Sequence, residues 1–476
     1  MKQKNKISFL SGTSKLMILT VIYELFVYLL SASVKNYFYI LVPLLIAYIF
    51  GTILLCNKSK DSKNIIFYLV FVFGVILRTI YIFETNIYVR QHDVLDIGEC
   101  GHLDYIYTIY MMHRLPKTIN WQFYHPPLWH ILSALWLVFL KLFGFELSYL
   151  FEGIQILSLL FSSFMVVIAN QICLKLKLND KYRFLVDALV AINPTLIMFS
   201  GSINNDCLLT FLEALVILEL FNWYDHTDTK NTIKLAIVTG LCVMTKLNGA
   251  IMALPIIYVF VRKFRDVFIK NKEEIKGYIS KILLFGLISL PIGLWYQVRS
   301  IIKLSNIMVP TPGDWLYTGN HSFASRFLSL NMHQLFNYAN MDMDYNLPSF
   351  LIRSAIFGEY HFNIPKFLFL SLIILLCILV AFFVIGSIKY LFEKKNVYVN
   401  VLLITWYISI VSSIIFYYNY PYACSMDYRY ISVCLLCSSV FIGYMLNKLT
   451  NKYLRILFLV IILLYILCNI IFALQI

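Results

Sequence analysis

Apolar stretches of about 20 residues recur along the whole chain, and no other feature constrains its fold as tightly. A stretch of that length crosses about 30 Å of hydrocarbon as an α-helix. A helix also satisfies its own backbone N–H and C=O groups, as the bilayer interior demands. Strands of a membrane barrel would alternate apolar and polar residues, and that alternation is missing here. The runs fall near 17–34, 38–56, 64–83, 127–144, 150–174, 183–200, 207–223, 232–246, 249–262, 279–299, 366–390, 399–418, 429–447 and 453–474. Only 13% of the 476 residues are charged, against about 25% in soluble domains. The expected fold is therefore all-α and polytopic in the membrane.

The net charge of +14 would suggest nucleic acid as a partner if the chain were soluble. Here Lys and Arg sit in short loops between apolar runs, the pattern of cytoplasmic loops. Membrane lipids are the expected partner and nucleic acid is not. Lys2, Lys4, Lys6 and Lys15 set the N-terminus in the cytoplasm, and Lys58, Lys60 and Lys63 mark the next inner turn. Residues 84–126 then lie outside. If 127–144 crossed, Lys175, Lys177, Lys181 and Arg183 would be external. If that run lies along the outer face, opened by Pro126-Pro127, all later basic clusters fall inside: Arg262 to Lys272, Lys389 to Lys395, and Lys448 with Lys452. This predicts about 13 spans and one interfacial helix. The expected divisions are an N-terminal helix pair without polar features (1–63), a core (64–300) holding the external loop 84–126, a second external loop (301–365) and C-terminal spans (366–476). Ten cysteines form no evident framework, although Cys100 and Cys424 leave one external disulfide open.

Polar residues collect at the outer side, while the spans read as free of charge at mid-depth. The first external loop carries Asp93, Asp96, Glu99 and Asp104 and ends in His125-Pro126-Pro127-Leu128. Asn204-Asn205-Asp206, Thr245-Lys246-Leu247-Asn248-Gly249, Arg299 and Asp427-Tyr428-Arg429-Tyr430 follow at the same face. Moving a sugar off a lipid phosphate needs a carboxylate to take the acceptor proton and cations to hold the departing phosphate. It also needs an apolar flank for the lipid.

In their order these motifs resemble the GT-C membrane glycosyltransferases, most of all the family 39 and aminoarabinose-transferase branch that includes protein O-mannosyltransferases. The resemblance covers roughly residues 64–300. It implies a GT-C fold, a polyprenyl-phosphate-linked sugar donor, an inverting displacement at the extracytoplasmic face, and a glycan, lipid or protein acceptor. Such a protein sits in a bacterial plasma membrane, or in the endoplasmic reticulum of a eukaryote. Carried over, Asp93 is the catalytic base, with Asp96 and Asp104 as rivals because Val94 stands where many members have a second acid. His125 falls near the donor phosphate, Asp206 organises the site, and Lys246 and Arg299 bind phosphate, with Arg429 as a further cation.

Each residue has a plainer reading. Asp93 could be a solvated loop acid, and His125 could simply pack against the prolines. Asp206 could cap its helix, and Lys246 and Arg299 could snorkel to the interface. No cofactor is implied with certainty. A divalent metal among His92, Asp93, Asp96 and His102 stays open, since no spacing matches a standard site. Competing functions are a transporter or lipid flippase, which would place its polar site at the midplane, and a non-catalytic envelope subunit.

Overall fold

The computed structural model describes residues 2–31, 38–58, 64–270, 272–304, 313–337, 344–391 and 396–476. Lys60, Lys63, Lys394 and Lys395, which carry part of the charge pattern, lie outside these residues. Nineteen α-helices follow one another among the described residues. The first five are α1 (Lys2–Ser31), α2 (Phe38–Lys58), α3 (Ile65–Glu84), α4 (His102–Met112) and α5 (Leu128–Lys141). Then come α6 (Leu147–Glu152), α7 (Ile154–Lys175), α8 (Asp180–Ala191), α9 (Pro194–Phe199), α10 (Asp206–Asp225), α11 (Thr229–Thr245) and α12 (Ala253–Lys270). The chain continues with α13 (Ile275–Leu304), α14 (Met332–Phe336), α15 (Leu347–Phe357), α16 (Lys366–Leu391), α17 (Val397–Asn419), α18 (Val433–Lys448) and α19 (Lys452–Ala473). No strand occurs among the described residues, where the only β pairing is one isolated bridge between Tyr317 and Tyr422.

Nine helices among the described residues are long and apolar enough to cross a membrane. A tenth is added if Ala423–Ile431 and Val433–Lys448, bent by 49°, count as one span. The expected 13 is higher, and local chemistry accounts for part of the difference. Run 183–200 is broken into α8 and α9 at Pro194, which lacks an N–H and disfavours helix in the residue before it. Asn193 caps α9 by accepting from Leu196 N at 3.2 Å. α11 has 17 residues, a rise of about 26 Å. The 14-residue α5 rises only about 21 Å, too short to cross, in keeping with an interfacial helix. Outward, α13 exposes Leu283, Leu287, Leu290, Val298 and Ile301, a face suited to lipid.

Inward, α10 packs on α7 and α11, α11 on α13, and α3 on α8. The last contact depends on Gly74, whose Cβ would stand 2.9 Å from that of Ala191. Charge inside the spans corrects the sequence reading. Arg78 of α3 is fully buried, with Nε donating to Ser162 Oγ at 2.9 Å and Nη1 to the carbonyls of Gly74 (2.9 Å) and Ala191 (2.6 Å). Glu24, Asp187 and Glu213 are also buried within helices. Hydropathy averaging hides single ionisable residues whose partners lie on other helices. Glu24 also means that the N-terminal pair is not free of polar features.

A candidate active site at one end of the bundle

Helix ends and loops from distant parts of the chain meet at a cavity of about 410 Å³. These are the loop after α3, the N-terminus of α10, the C-terminus of α11 and the segment before α18. The basic turns 175–181 and 262–272 meet the opposite end of α10, where Lys175 Nζ donates to Asp225 Oδ2 at 2.7 Å and Lys263 Nζ to Tyr224 O at 3.0 Å.

The loop after α3 is shaped by backbone, and its shape aims two side chains. Arg90, Asp93, Leu95 and Cys100 all have φ between 51° and 60°, a conformation costly for most non-glycine residues and milder for Asp. The loop is fastened at Gln91, which donates from Nε2 to Gly201 O (2.6 Å) and accepts from Ile203 N (3.1 Å). At its far end the first amides of α4 donate back: His102 N to Asp93 O at 2.9 Å and Leu103 N to Val94 O at 3.2 Å. Gly101 makes this approach possible, since a Cβ there would sit 2.1 Å from Val94 O. Gly101→Ala is therefore expected to displace the Asp93 loop and cost about 2–4 kcal/mol, as overpacking and a lost backbone clasp together would. Thermal unfolding in detergent checks this.

Asp206 is the first residue of α10, and its carboxylate makes no cap. It instead accepts from Lys246 Nζ. Asn205 Nδ2 donates to Thr245 O at 3.1 Å and so ties the start of α10 to the end of α11, bringing this pair together. Lys246 is 7% exposed, stands 4.9 Å from the Tyr430 ring and lines the cavity. That arrangement differs from snorkelling. Arg429 lies among three carboxylates, with nitrogens 3.8 Å from Asp93, 3.8 Å from Asp206 and 3.6 Å from Asp427. Asp427 Oδ1 fixes its backbone by accepting from Arg429 N at 2.9 Å. His125 closes a short turn held by Tyr105 and Tyr296, whose hydroxyls donate to His125 O (3.2 Å) and Phe123 O (2.7 Å). Burial, reinforced by Lys246, keeps the His125 imidazole well below its ordinary range, hence neutral.

Of the residues singled out from sequence, Asp93, His125, Asp206, Lys246 and Arg429 line this cavity, and Asp96, Asp104 and Arg299 do not. Asp96 is exposed to solvent. Asp104 accepts from Cys100 N at 3.0 Å and steadies the start of α4. Arg299 donates to Pro116 O at 2.8 Å with its guanidinium over the Tyr296 ring. Cys100 and Cys424 are unbonded.

Sequence reasoning missed Glu359. It lines the cavity, and its Oε2 lies 3.2 Å from His92 Nδ1, while His92 Nε2 faces Asp427 Oδ2 at 3.7 Å. A carboxylate after Gly358, flanked by Tyr360 and His361 in an external loop, was the available signal. The ligand atoms of His92, Glu359 and Asp427 lie within 4.8 Å of one another, a donor set that suits a divalent transition metal. Asp427 Oδ2 is buried without a hydrogen bond among the described residues. A divalent ion held there would satisfy it and offset part of the surplus of carboxylates over cations around the cavity. Burial, with Arg429 nearby, pushes the His92 pKa down to about 4. The folded value lies below the unfolded value of about 6.5. The contribution of His92 to stability is therefore complete above about pH 6.5 and is lost as pH falls towards 4. Between pH 7 and pH 5 the wild-type chain is expected to lose more thermal stability than His92→Asn, measured on the full chain in detergent.

No family model matches the sequence, and no curated protein matches it. Among solved structures, the chain is similar to the archaeal oligosaccharyltransferase AglB from Archaeoglobus fulgidus, in complex with an inhibitory peptide and a dolichol-phosphate. That likeness has 12% identity and a TM-score of 0.49 over 87% of this chain and 56% of that one. It is also similar to ArnT from Cupriavidus metallidurans bound to undecaprenyl phosphate, with 13% identity and a TM-score of 0.46 over 83% of this chain and 62% of that one. The apo form of the Archaeoglobus oligosaccharyltransferase gives 12% identity and 0.49 over 87% and 56%. The chain thus spans 56–62% of the length of these structures.

Proposed function

We propose that the chain is a multi-pass membrane glycosyltransferase that moves a sugar from a polyprenyl-phosphate donor to an acceptor at the extracytoplasmic face. One observation carries the reading: a half-exposed carboxylate, Asp93, shares a cavity with two buried cations, Lys246 and Arg429, at the ends of apolar helices. In the proposed reaction Asp93 takes the proton of the attacking hydroxyl or amine. The new bond forms at the anomeric carbon as the bond to the donor phosphate breaks from the opposite side, which inverts the centre. Lys246 and Arg429 hold the phosphate that leaves with the electron pair. Asp206 orients both cations, and neutral His125 offers the donor a hydrogen bond. Phe416, Tyr420 and Leu247 give the cavity an apolar flank for the first isoprene units. A divalent ion on His92, Glu359 and Asp427 would add positive charge beside the phosphate.

The far-end placement of the basic turns supports an external site. The test is transfer from a radiolabelled polyprenyl-phosphate sugar by the purified full chain, against a panel of glycan, lipid and peptide acceptors. Transfer by wild type that is slowed in Lys246→Met, with donor KM raised about tenfold or more as loss of a charge-assisted contact predicts, supports the reading. No transfer with any donor, or an unchanged KM in that variant, overturns it.

A further inference from the structure

A second cavity, of about 310 Å³, opens between α1, the end of α3 and the start of α7. Three carboxylates line it in order of depth: Glu84 is exposed, Glu152 half-buried and Glu24 1% exposed. Glu24 Oε1 accepts from Thr79 Oγ1 at 2.7 Å. Its Oε2 is buried and without a hydrogen-bond partner among the described residues. Among the described residues, neither Glu24 nor Glu152 makes an ion pair, and no Lys or Arg lines the cavity. A carboxyl group buried this way is stable only when protonated or met by a cation, and a cation with hydrogens to donate would satisfy its free oxygen.

We propose that this cavity binds the ammonium group of an amine-bearing ligand. A bare metal ion fits less well. Among the described residues, the only three metal-donor groups that converge within 4.8 Å are His92, Glu359 and Asp427, in the first cavity. The three glutamates are instead strung from rim to floor, which suits an extended group with several N–H donors. Tyr28 and Tyr149, stacked at 4.9 Å, add an aromatic wall that favours a cation. Val27, Ile82 and Phe83 line the same cavity. A lipid headgroup and a free amine share this chemistry, and the apolar lining beside the candidate span Gly12–Ser31 favours the lipid. The floor also reaches the first site. Gln155 Nε2 donates to Gly201 O at 3.1 Å, the same oxygen that holds Gln91 ahead of His92 and Asp93.

Native mass spectrometry of the full chain, released from micelles with equimolar phosphatidylethanolamine and phosphatidylcholine, tests this without reference to sugar transfer. An ethanolamine headgroup donates hydrogen bonds and choline does not, so wild type is expected to retain phosphatidylethanolamine about tenfold over phosphatidylcholine. Glu24→Gln keeps the side-chain shape and is expected to bring the ratio near one. Glu152→Gln serves as the second variant, with thermal unfolding to show that each is folded. Displacement by glycerophosphoethanolamine supports recognition of the headgroup alone, and retention against it supports the lipid source. Equal retention of both lipids by wild type, or an undiminished preference in both variants, overturns the proposal.

Discussion

Asp93→Asn is expected to lower the rate of sugar transfer by about a thousandfold, the middle of the range for losing a general base, while leaving donor KM and thermal stability close to wild type. The cavity holds other acids, and the geometry separates them. Asp206 is 1% exposed and already paired with Lys246. Glu359 and Asp427 face the two nitrogens of His92. The Asp93 side chain keeps 35% of its surface open and has its cation no closer than 3.8 Å, so it can both meet an acceptor and hold a proton. Asn tolerates the positive φ of this position, so the substitution isolates the charge. Asp96→Asn, exposed and outside the cavity, should transfer at the wild-type rate. Asp104→Asn weakens the contact to Cys100 N and is expected to cost about 1 kcal/mol with little loss of rate. The labelled-donor assay reads all three. Full activity in Asp93→Asn would remove the base assignment, and loss confined to Asp104→Asn would transfer it.

Arg429→Met is expected to have the other large effect, on folding as well as on rate. Its guanidinium is 7% exposed and stands among Asp93, Asp206 and Asp427. Removing one partner of a buried charge cluster leaves the rest uncompensated, at a cost of about 3–5 kcal/mol. Thermal unfolding of the purified variant should show it. Arg429→Lys restores the charge without the planar fork. That variant is expected to regain most of the stability while its donor KM stays about tenfold above wild type, as loss of a bidentate phosphate contact implies. A stable, fully active Arg429→Met would mean that the three acids do not depend on this cation.

Much of this molecule is legible one segment at a time. Apolar runs locate the helices, and Pro126-Pro127 starts the short α5. Loop acids and span-end cations also stand out locally, since ionisable groups are rare in such a chain. What fails locally is any property set by a partner far along the sequence. Averaged hydropathy passes over Arg78 and Glu24, each a single polar residue in an apolar helix. Glu359 follows a stretch with no motif, and only the fold brings it to His92.

By itself, then, the sequence determined an all-helical chain built for a bilayer, and the loops in which its chemistry collects. These depend on composition and short-range pattern, which the bilayer's thickness and intolerance of bare backbone groups translate directly into helices. The tertiary structure alone decided which of those residues meet. A helix turns about 100° per residue, so position at a span end does not say which neighbour a side chain faces. Arg299 near the end of α13 turns to Pro116 O, whereas Arg429, from the far end of the chain, reaches Asp93 and Asp206.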